Sequence, residues 1–302
     1  MSIVTELVVE TKALEKTFRD FWGRPRTRAL RKLDLTILPG ELFGLLGPNG
    51  SGKSTAIKLL LGLLHPTAGE ARVLGGPPSD VRLKARMGYL PEESYFYPHL
   101  SAEETLLFYG RIFSLPRAEI RRRMDRLLAL VGLDADRKRR VGEFSKGMLR
   151  RMGIAQALIN DPDLLILDEP TAGLDPIGTR EVKDLLLDLK RRGKTVLLSS
   201  HLLADVEDVC DRVGILFEGR LEALGSVSAL LADDQRTQII TDRLSPSTLE
   251  ALVSFLRARE GPGLAVQIGV PSARLEAFFL KTVLSKRAAS LEGSGSEGGG
   301  MR

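Results

Sequence analysis

The 302-residue sequence has one cysteine and no long hydrophobic run, and both absences limit what the protein can be. The single cysteine, Cys210, excludes an internal disulfide, and its amphipathic surroundings at 202–210 predict a helix with a small buried apolar side chain. Apolar runs such as 59–64 fall far short of the ~20 residues needed to span a bilayer, so we expect no transmembrane segment. The first ten residues lack a basic region, which argues against a secretory signal peptide and indicates a cytoplasmic protein.

Aromatic residues are also scarce, at 5% of the sequence, although the formal net charge is +5. A positive charge can attract nucleic acid or an anionic membrane surface. The densest basic runs, 121–123 and 137–140, have no interleaved aromatic residues on which bases would stack. We therefore interpret these runs as solvated faces and expect no nucleic-acid partner.

The sequence does contain alternating strand and helix patterns, which predict an α/β fold with a mostly parallel sheet. Short apolar runs separated by turns predict an initial antiparallel β part, and helical spacing over 100–161 predicts an α-helical insert. The predicted strands are 7–9, 33–37, 42–46, a short one around Val73, 164–167 and 195–199. The predicted helices are 54–64, 118–130, 148–159, 180–190 and 202–210.

We divide the chain into four parts on these patterns. Residues 1–86 and 162–225 form the predicted core, and residues 87–161 form a helical subdomain. Residues 226–290 predict a small accessory α/β domain, with strands at 237–241 and 264–270 and helices at 247–259 and 273–286. Residues 291–302 are Gly-, Ser- and Glu-rich and predict a disordered tail.

A glycine-rich segment between a strand and a helix fits the phosphate-binding pattern G-x-x-x-x-G-K-S/T. Glycines let backbone N–H groups approach phosphates, Lys53 adds a positive charge, and the Ser54 hydroxyl suits magnesium. An ordinary glycine turn is the alternative. We assign nucleotide binding to Gly47, Pro48, Asn49, Gly50, Ser51, Gly52, Lys53, Ser54 and Thr55, with Mg²⁺ as cofactor.

Polar side chains follow two later predicted strands, where open α/β sheets bind ligands. Asp168 and Glu169 come directly after strand 164–167. Asp168 suits the magnesium shell, and Glu169 is placed to deprotonate an attacking water. Acids that cap the next turn are the alternative. His201 follows the predicted strand 195–199, with Ser200 between them. We expect the His201 imidazole to contact the γ-phosphate.

The segment Phe144-Ser145-Lys146-Gly147-Met148 resembles the L-S-G-G-Q signature of ABC ATPases. Ser145 and Gly147 match, whereas Lys146 and Met148 depart from the usual residues. The resemblance spans residues 5–225 and implies a P-loop NTPase core. It also implies that two cassettes sandwich two ATPs, with each signature acting on the ATP of the partner. Ser145 also fits an N-cap of the following helix.

Other segments resemble further ABC elements in the family's order. Residues 171–175 resemble the D-loop, with Leu174 and Asp175, and Ser199-Ser200-His201 resembles the switch histidine. Phe18 best matches the aromatic residue that stacks on adenine, with Phe21 and Trp22 as rivals. Glu92 stands where the family usually has the Q-loop glutamine, and the resemblance implies a catalytic and magnesium-binding position.

The resemblance implies an ATP-hydrolysing subunit that drives a separate integral-membrane permease. We expect a homodimer, with a heterodimer as the alternative, on the cytoplasmic face of the membrane. Residues 90–93, the signature and the C-terminal extension resemble exporter cassettes, so we expect export. An ABC importer, or a soluble ABC-type ATPase that acts on nucleic acid, remains the alternative.

Overall fold

The computed structural model describes residues 7–232 and 245–261. Its strands are β1 (Val9–Arg19), β2 (Pro25–Ile37), β3 (Leu42–Leu46), β4 (Ala68–Val73), β5 (Met87–Leu90), β6 (Leu164–Asp168), β7 (Thr195–Ser200), β8 (Arg212–Phe217) and β9 (Arg220–Ser226). Its α-helices are α1 (Lys53–Leu60), α2 (Val81–Lys84), α3 (Ala102–Ile112), α4 (Arg117–Leu130), α5 (Lys146–Leu158), α6 (Pro176–Arg191), α7 (Leu203–Glu207), α8 (Val227–Leu231) and α9 (Pro246–Glu260).

The larger sheet has the strand order β5-β6-β7-β3-β8-β9 among the described residues. The first five strands are parallel and β9 is antiparallel to β8. Every residue of β3, β6 and β7 is buried, because layers cover both faces of a central parallel sheet. Leu46 pairs with Ser200 and Asp168 with Ser199, so three distant segments end at one edge. The predicted mostly parallel sheet is confirmed.

The smaller sheet has the order β2-β1-β4 and is antiparallel, which confirms the predicted antiparallel part. The prediction of a strand at 7–9 was wrong in extent, since β1 begins at Val9 and continues to Arg19. Charged residues at Lys12, Glu15 and Lys16 interrupt its apolar pattern, but they lie on the less buried part of the strand. Thr11 stabilises the hairpin, because its hydroxyl donates to Leu33 O and accepts from Leu35 N, both at 2.9 Å.

The larger sheet separates two hydrophobic clusters. Alternation along β3 places Leu42 and Leu46 in the cluster beneath α3–α6, and Phe43 and Leu45 in the cluster beneath α1 and the smaller sheet. Each fully buried leucine or phenylalanine stabilises the fold by about 1.5–3 kcal/mol relative to its exposed state. The two clusters therefore hold the helical layer and the antiparallel sheet against opposite faces of one parallel sheet.

The predicted helical insert consists of α3, α4 and α5. A capping box begins α3, since Glu104 N donates to Ser101 Oγ at 3.2 Å and Ser101 N donates to Glu104 Oε2 at 2.8 Å. The strand β5, which the sequence-based division places with the insert, pairs with β6 in the larger sheet. The helices of the insert thus leave and re-enter the fold between two neighbouring strands.

The structure tests two further predicted helices, 202–210 and 247–259. The predicted helix 202–210 is shorter, because α7 ends at Glu207, and Cys210 lies beyond it. Cys210 is buried as expected, and burial raises the pKa of its thiol well above the ordinary value. The predicted helix 247–259 appears as α9, whereas 237–241, 264–270, 273–286 and 291–302 lie outside the described residues.

None of the described helices combines the length and the apolar composition that crossing a membrane requires.

Candidate functional site

The glycine-rich segment forms a tight loop between β3 and α1. Gly52 has φ 110°, and a Cβ at this position would lie 2.5 Å from Ala29 O. A Cβ at Gly47 would lie 2.3 Å from Leu216 O. Only glycine fits these two close approaches. No side chain caps the N-terminus of α1, and its first turn contains no acid, so its N–H groups are available to an anion.

Two buried polar groups in this loop fit a phosphate. Ser51 is buried, and its Oγ has no hydrogen-bond partner among the described residues. The Lys53 ammonium is also buried, and Nζ donates to Gly47 O at 2.7 Å and to Pro48 O at 3.4 Å. Burying an ammonium is unfavourable unless it is paired, so anionic phosphate oxygens match both the charge of Lys53 and the free Ser51 hydroxyl.

Glu169 lies between two basic groups. Its Oε1 is 3.4 Å from Lys53 Nζ, and its Oε2 is 2.8 Å from His201 Nδ1. Glu169 is buried and has φ 52°, in the left-handed region that non-glycine residues rarely adopt. A local backbone conformation of this kind costs about 1–3 kcal/mol and is frequent at functional sites. The structure therefore brings Lys53, Glu169 and His201 together.

Asp168 lies deeper than Glu169, at the end of β6. Its Oδ1 accepts a 2.5 Å hydrogen bond from Ser199 Oγ, and Ser199 Oγ accepts from Glu169 N at 3.0 Å. Ser199 is completely buried. Burial raises the pKa of neighbouring Tyr89 to about 12, and the negative charge of Asp168 adds to this shift. Through its two hydrogen bonds, Ser199 fixes both Asp168 and Glu169, a role that sequence reasoning missed.

A cavity of about 610 Å³ extends from the loop to the β1–β2 hairpin, a size suited to a small-molecule ligand. Phe18 lines it, whereas Phe21 and Trp22 lie at the hairpin tip, 95% and 79% exposed, and are not among its lining residues. This placement favours Phe18 over its two rivals. The cavity is lined by Phe18, Thr27, Arg28, Ala29, Arg31, Asn49, Gly50, Ser51, Gly52, Lys53, Ser54, Thr55, Glu92, Glu169 and Glu218.

The signature segment lies outside this cavity. Ser145 caps α5, accepting from Met148 N at 3.2 Å, so the N-cap interpretation is confirmed. Ser145 and Lys146 are exposed, and a Cβ on Gly147 would meet no atom closer than 4.0 Å. Lys146 Nζ packs over Gly173 of the D-loop segment. An exposed helix N-terminus is thus presented at the surface beside the D-loop.

The D-loop residues connect this surface to α6. Leu174 is half-buried against the cluster beneath the helices. Asp175 caps α6 by accepting from Gly178 N at 2.8 Å. Neither residue is among those that line the cavity of the same chain.

Comparison with protein families matches residues 30–172 to the family described as ABC transporter. An uncharacterised ABC transporter ATP-binding protein of Synechocystis is 44% identical over 252 residues, or 82% of this chain and 70% of that protein. The chain belongs to the ABC transporter ATP-binding proteins. It is an ATP-binding and ATP-hydrolysing ABC cassette.

Other relatives of this cassette have export in their names. The fluoroquinolones export ATP-binding protein of Mycobacterium tuberculosis is 42% identical over 225 residues, covering 74% of this chain and 73% of that protein. The Nod factor export ATP-binding protein I of Paraburkholderia xenovorans is 42% identical over 210 residues, or 69% of each chain.

Solved structures share the fold of the cassette. A subunit from Clostridium perfringens, part of the ABC transporter complex cbiONQ, aligns with a TM-score of 0.67 at 27% identity, covering 84% of this chain and 96% of that one. A dimeric ATP-binding cassette in a post-hydrolysis state with ADP and Pi aligns with a TM-score of 0.65 at 27% identity, covering 72% and 98%.

The cavity of the ABC cassette also suits a magnesium nucleotide. The Ser54 hydroxyl and the Glu92 carboxylate line it, and these are the oxygen ligands that Mg²⁺ prefers. Within the described ranges, no three His, Cys, Asp or Glu side chains form a metal cluster.

Sequence reasoning missed one further residue of the ABC cassette, Arg150 on α5. It is buried, and its guanidinium donates to backbone carbonyls alone within the part of the chain that the structure describes. Because every residue has a backbone carbonyl, the sequence does not indicate which carbonyls an arginine contacts. One signal was present nevertheless, because Arg150 shares the buried helical face of Ile154, Ala157 and Leu158.

Proposed function

We propose that this ABC cassette splits ATP at the edge formed by β3, β6 and β7, with Glu169 as the general base. The observation that carries the proposal is the Glu169 carboxylate, held between Lys53 Nζ at 3.4 Å and His201 Nδ1 at 2.8 Å. Phe18 would stack on the base, and residues 47–55 would bind the phosphates. Stacking of this kind contributes about 1–3 kcal/mol.

The proposed reaction is an in-line displacement at the γ-phosphorus. A water oxygen bonds to phosphorus, its proton passes to the Glu169 carboxylate, and the bond to the β,γ-bridging oxygen breaks to give ADP and phosphate. Lys53 holds the β- and γ-oxygens, and His201 orients Glu169 or the γ-phosphate. Ser54, Asp168 and Glu92 would hold Mg²⁺, which would neutralise part of the phosphate charge.

We propose further that a second copy completes each site. The exposed N-terminus of α5 supports this, because Ser145, Lys146, Gly147 and Met148 lie outside their own chain's cavity and the N-terminus of a helix favours an anion. The related dimeric cassette with ADP and Pi supports the same arrangement. A homodimer satisfies the proposal, since one chain contains all the groups required.

Replacing Gly147 with aspartate tests the shared site. No atom lies within 4.0 Å of a Cβ there, so the fold should be unchanged, while a carboxylate would repel the partner's γ-phosphate. We expect the loss of ATP-driven dimerisation, measured by light scattering, and a loss of steady-state turnover by about tenfold or more, equivalent to ~1.4 kcal/mol.

Gly147→Ala is the matched control, because it adds the Cβ without the charge. We expect it to dimerise with ATP as the wild type does. Normal dimerisation and turnover of the aspartate variant would contradict the shared-site proposal, whereas an equal defect in both variants would assign the effect to the added Cβ.

We propose that the cassette lies on the cytoplasmic face of the membrane and drives export through an integral-membrane permease. The names of the mycobacterial and Paraburkholderia relatives support export, and the cbiONQ complex supports assembly with other subunits. A tagged full-length chain should co-purify with an integral-membrane protein from detergent-solubilised membranes, identified by mass spectrometry. Recovery of the cassette in an active form, with no membrane protein bound to it, would contradict the permease proposal.

A further inference from the structure

The Arg150 guanidinium connects two separate segments of backbone. Nη1 donates to Pro91 O at 2.7 Å and to Glu92 O at 2.8 Å. Nε donates to Pro170 O at 3.0 Å, and Nη2 donates to Asp168 O at 2.6 Å and to Glu169 O. One side chain therefore joins the segment that contains Glu92 to the segment that contains both acids of the catalytic edge.

All five N–H donors of this guanidinium are used. A guanidinium has five donors in a rigid planar fork, and each makes one of these five hydrogen bonds. Burial lowers the pKa of Arg150, while the negative charges of Asp168, Glu92 and Glu169 oppose that shift. The fork fixes directions as well as distances, which the single ammonium of a lysine does not do.

The backbone conformation of Glu169 needs the hydrogen bond that Arg150 donates to its carbonyl oxygen. Its φ of 52° is unfavourable for a residue with a side chain, so the surroundings must hold it. Ser199 Oγ holds its N–H at 3.0 Å, and Arg150 holds its carbonyl. The backbone of Glu169 is thus fixed on both sides, and its carboxylate is aimed between Lys53 and His201 as a result.

Arg150 also lies on the helix that begins at the signature. Ser145 is the N-cap of α5, and Arg150 follows in the second turn of the same helix. A rigid helix transmits a displacement of its N-terminus to Arg150, and from there to Glu92 and Glu169.

We propose that Arg150 is a positioning residue that couples the signature helix to the general base of its own chain. Engagement of Ser145 by the ATP on the partner would then set Glu169 in its productive place, so that hydrolysis at one site depends on occupancy of the other. The inference rests on the proposed roles of Glu169 and of the shared site.

Substitution by lysine separates shape from charge. R150K keeps a cation but not the fork, so we expect kcat for ATP hydrolysis to fall about 10- to 100-fold, as is typical when a supporting contact is lost. We expect the Kd of a fluorescent non-hydrolysable ATP analogue to stay within about threefold, since phosphate binding by residues 47–55 does not involve Arg150. Because hydrolysis is slow, R150K should also accumulate as an ATP-bound dimer in light scattering. R150M should show the same pattern with a larger loss of kcat.

Arg123 provides the matched control. It is a partly buried arginine of the same insert, and its Nη1 donates to a backbone carbonyl, Ile159 O, at 3.0 Å, at the far end of α5. R123K should keep wild-type kcat. Thermal unfolding of all variants shows whether a loss of kcat follows a general loss of stability.

Three results would overturn the proposal. The first is kcat for R150K within twofold of the wild type, and the second is a loss of analogue binding that parallels the loss of kcat. The third is a fall in kcat and melting temperature that R123K shares. E169Q, measured beside these variants, distinguishes the two levels of inference. If E169Q retains turnover, the general-base assignment fails, whereas an inactive E169Q with an active R150K defeats only the role of Arg150.

Discussion

Replacing Glu169 with glutamine should lower kcat for ATP hydrolysis by about two to four orders of magnitude. The carboxamide has nearly the same shape but cannot accept the proton of the attacking water. It also removes the charge that faces Lys53 Nζ at 3.4 Å, which favours binding of a polyanion by Lys53. ATP affinity should therefore be retained, and the variant should accumulate as an ATP-bound dimer. Phosphate release and light scattering measure the two effects.

An exposed glutamate gives the control for this variant. Glu70 on β4 is solvent-exposed, so Glu70→Gln changes the net charge equally without touching the site. Its turnover should equal that of the wild type. Turnover of Glu169→Gln within a few-fold of the wild type would remove Glu169 from the role of general base.

Replacing Lys53 with alanine should weaken ATP binding by roughly 10- to 100-fold, because a hydrogen bond to a charged group contributes about 1.5–3 kcal/mol. Lys53 is the buried cation of the phosphate loop, and its ammonium lies within reach of both the loop carbonyls and Glu169. Isothermal titration calorimetry with a non-hydrolysable ATP analogue measures the change. Turnover should fall as well, since the same ammonium stabilises the charge that develops on the phosphoryl group.

Lys58 offers a control on the same helix. It is exposed on α1 and close in sequence to Lys53, so Lys58→Ala removes an equal charge at a distance from the loop. Its affinity for the analogue should equal that of the wild type. Unchanged affinity of Lys53→Ala would show that the phosphate site lies elsewhere.

The buried parallel strands were predictable because their composition leaves few alternatives. Strand β3 matches the predicted 42–46, and β6 and β7 extend the predicted 164–167 and 195–199 by one residue each. Short, mainly apolar segments between turns fit a strand that is covered on both faces. The polar residues that follow such strands were therefore placed correctly at one edge.

The remaining elements depend on contacts that residue types do not encode. Charged residues on β1 hide a strand whose length is set by pairing with β2 and β4. The helix α7 ends before its periodic pattern does, because the chain turns at Asp208 and Val209 before it enters β8. Arg150 acts through backbone carbonyls, and Ser199 acts through a carboxylate and an N–H brought close by folding. Helical spacing places Arg150 on a buried face, but residue types alone do not indicate either role.

The pairing of Asp168 with Ser199 in the larger sheet has a consequence for tolerance to insertion and deletion. Side chains alternate between the two faces of a strand, so inserting one residue into β7 ahead of Ser199 would turn every later side chain of this strand to the opposite face. The serine hydroxyl would leave both acids, and a leucine side chain would replace it. Surface loops generally tolerate a change in length. The number of residues within this short strand is instead fixed by the chemistry at its end.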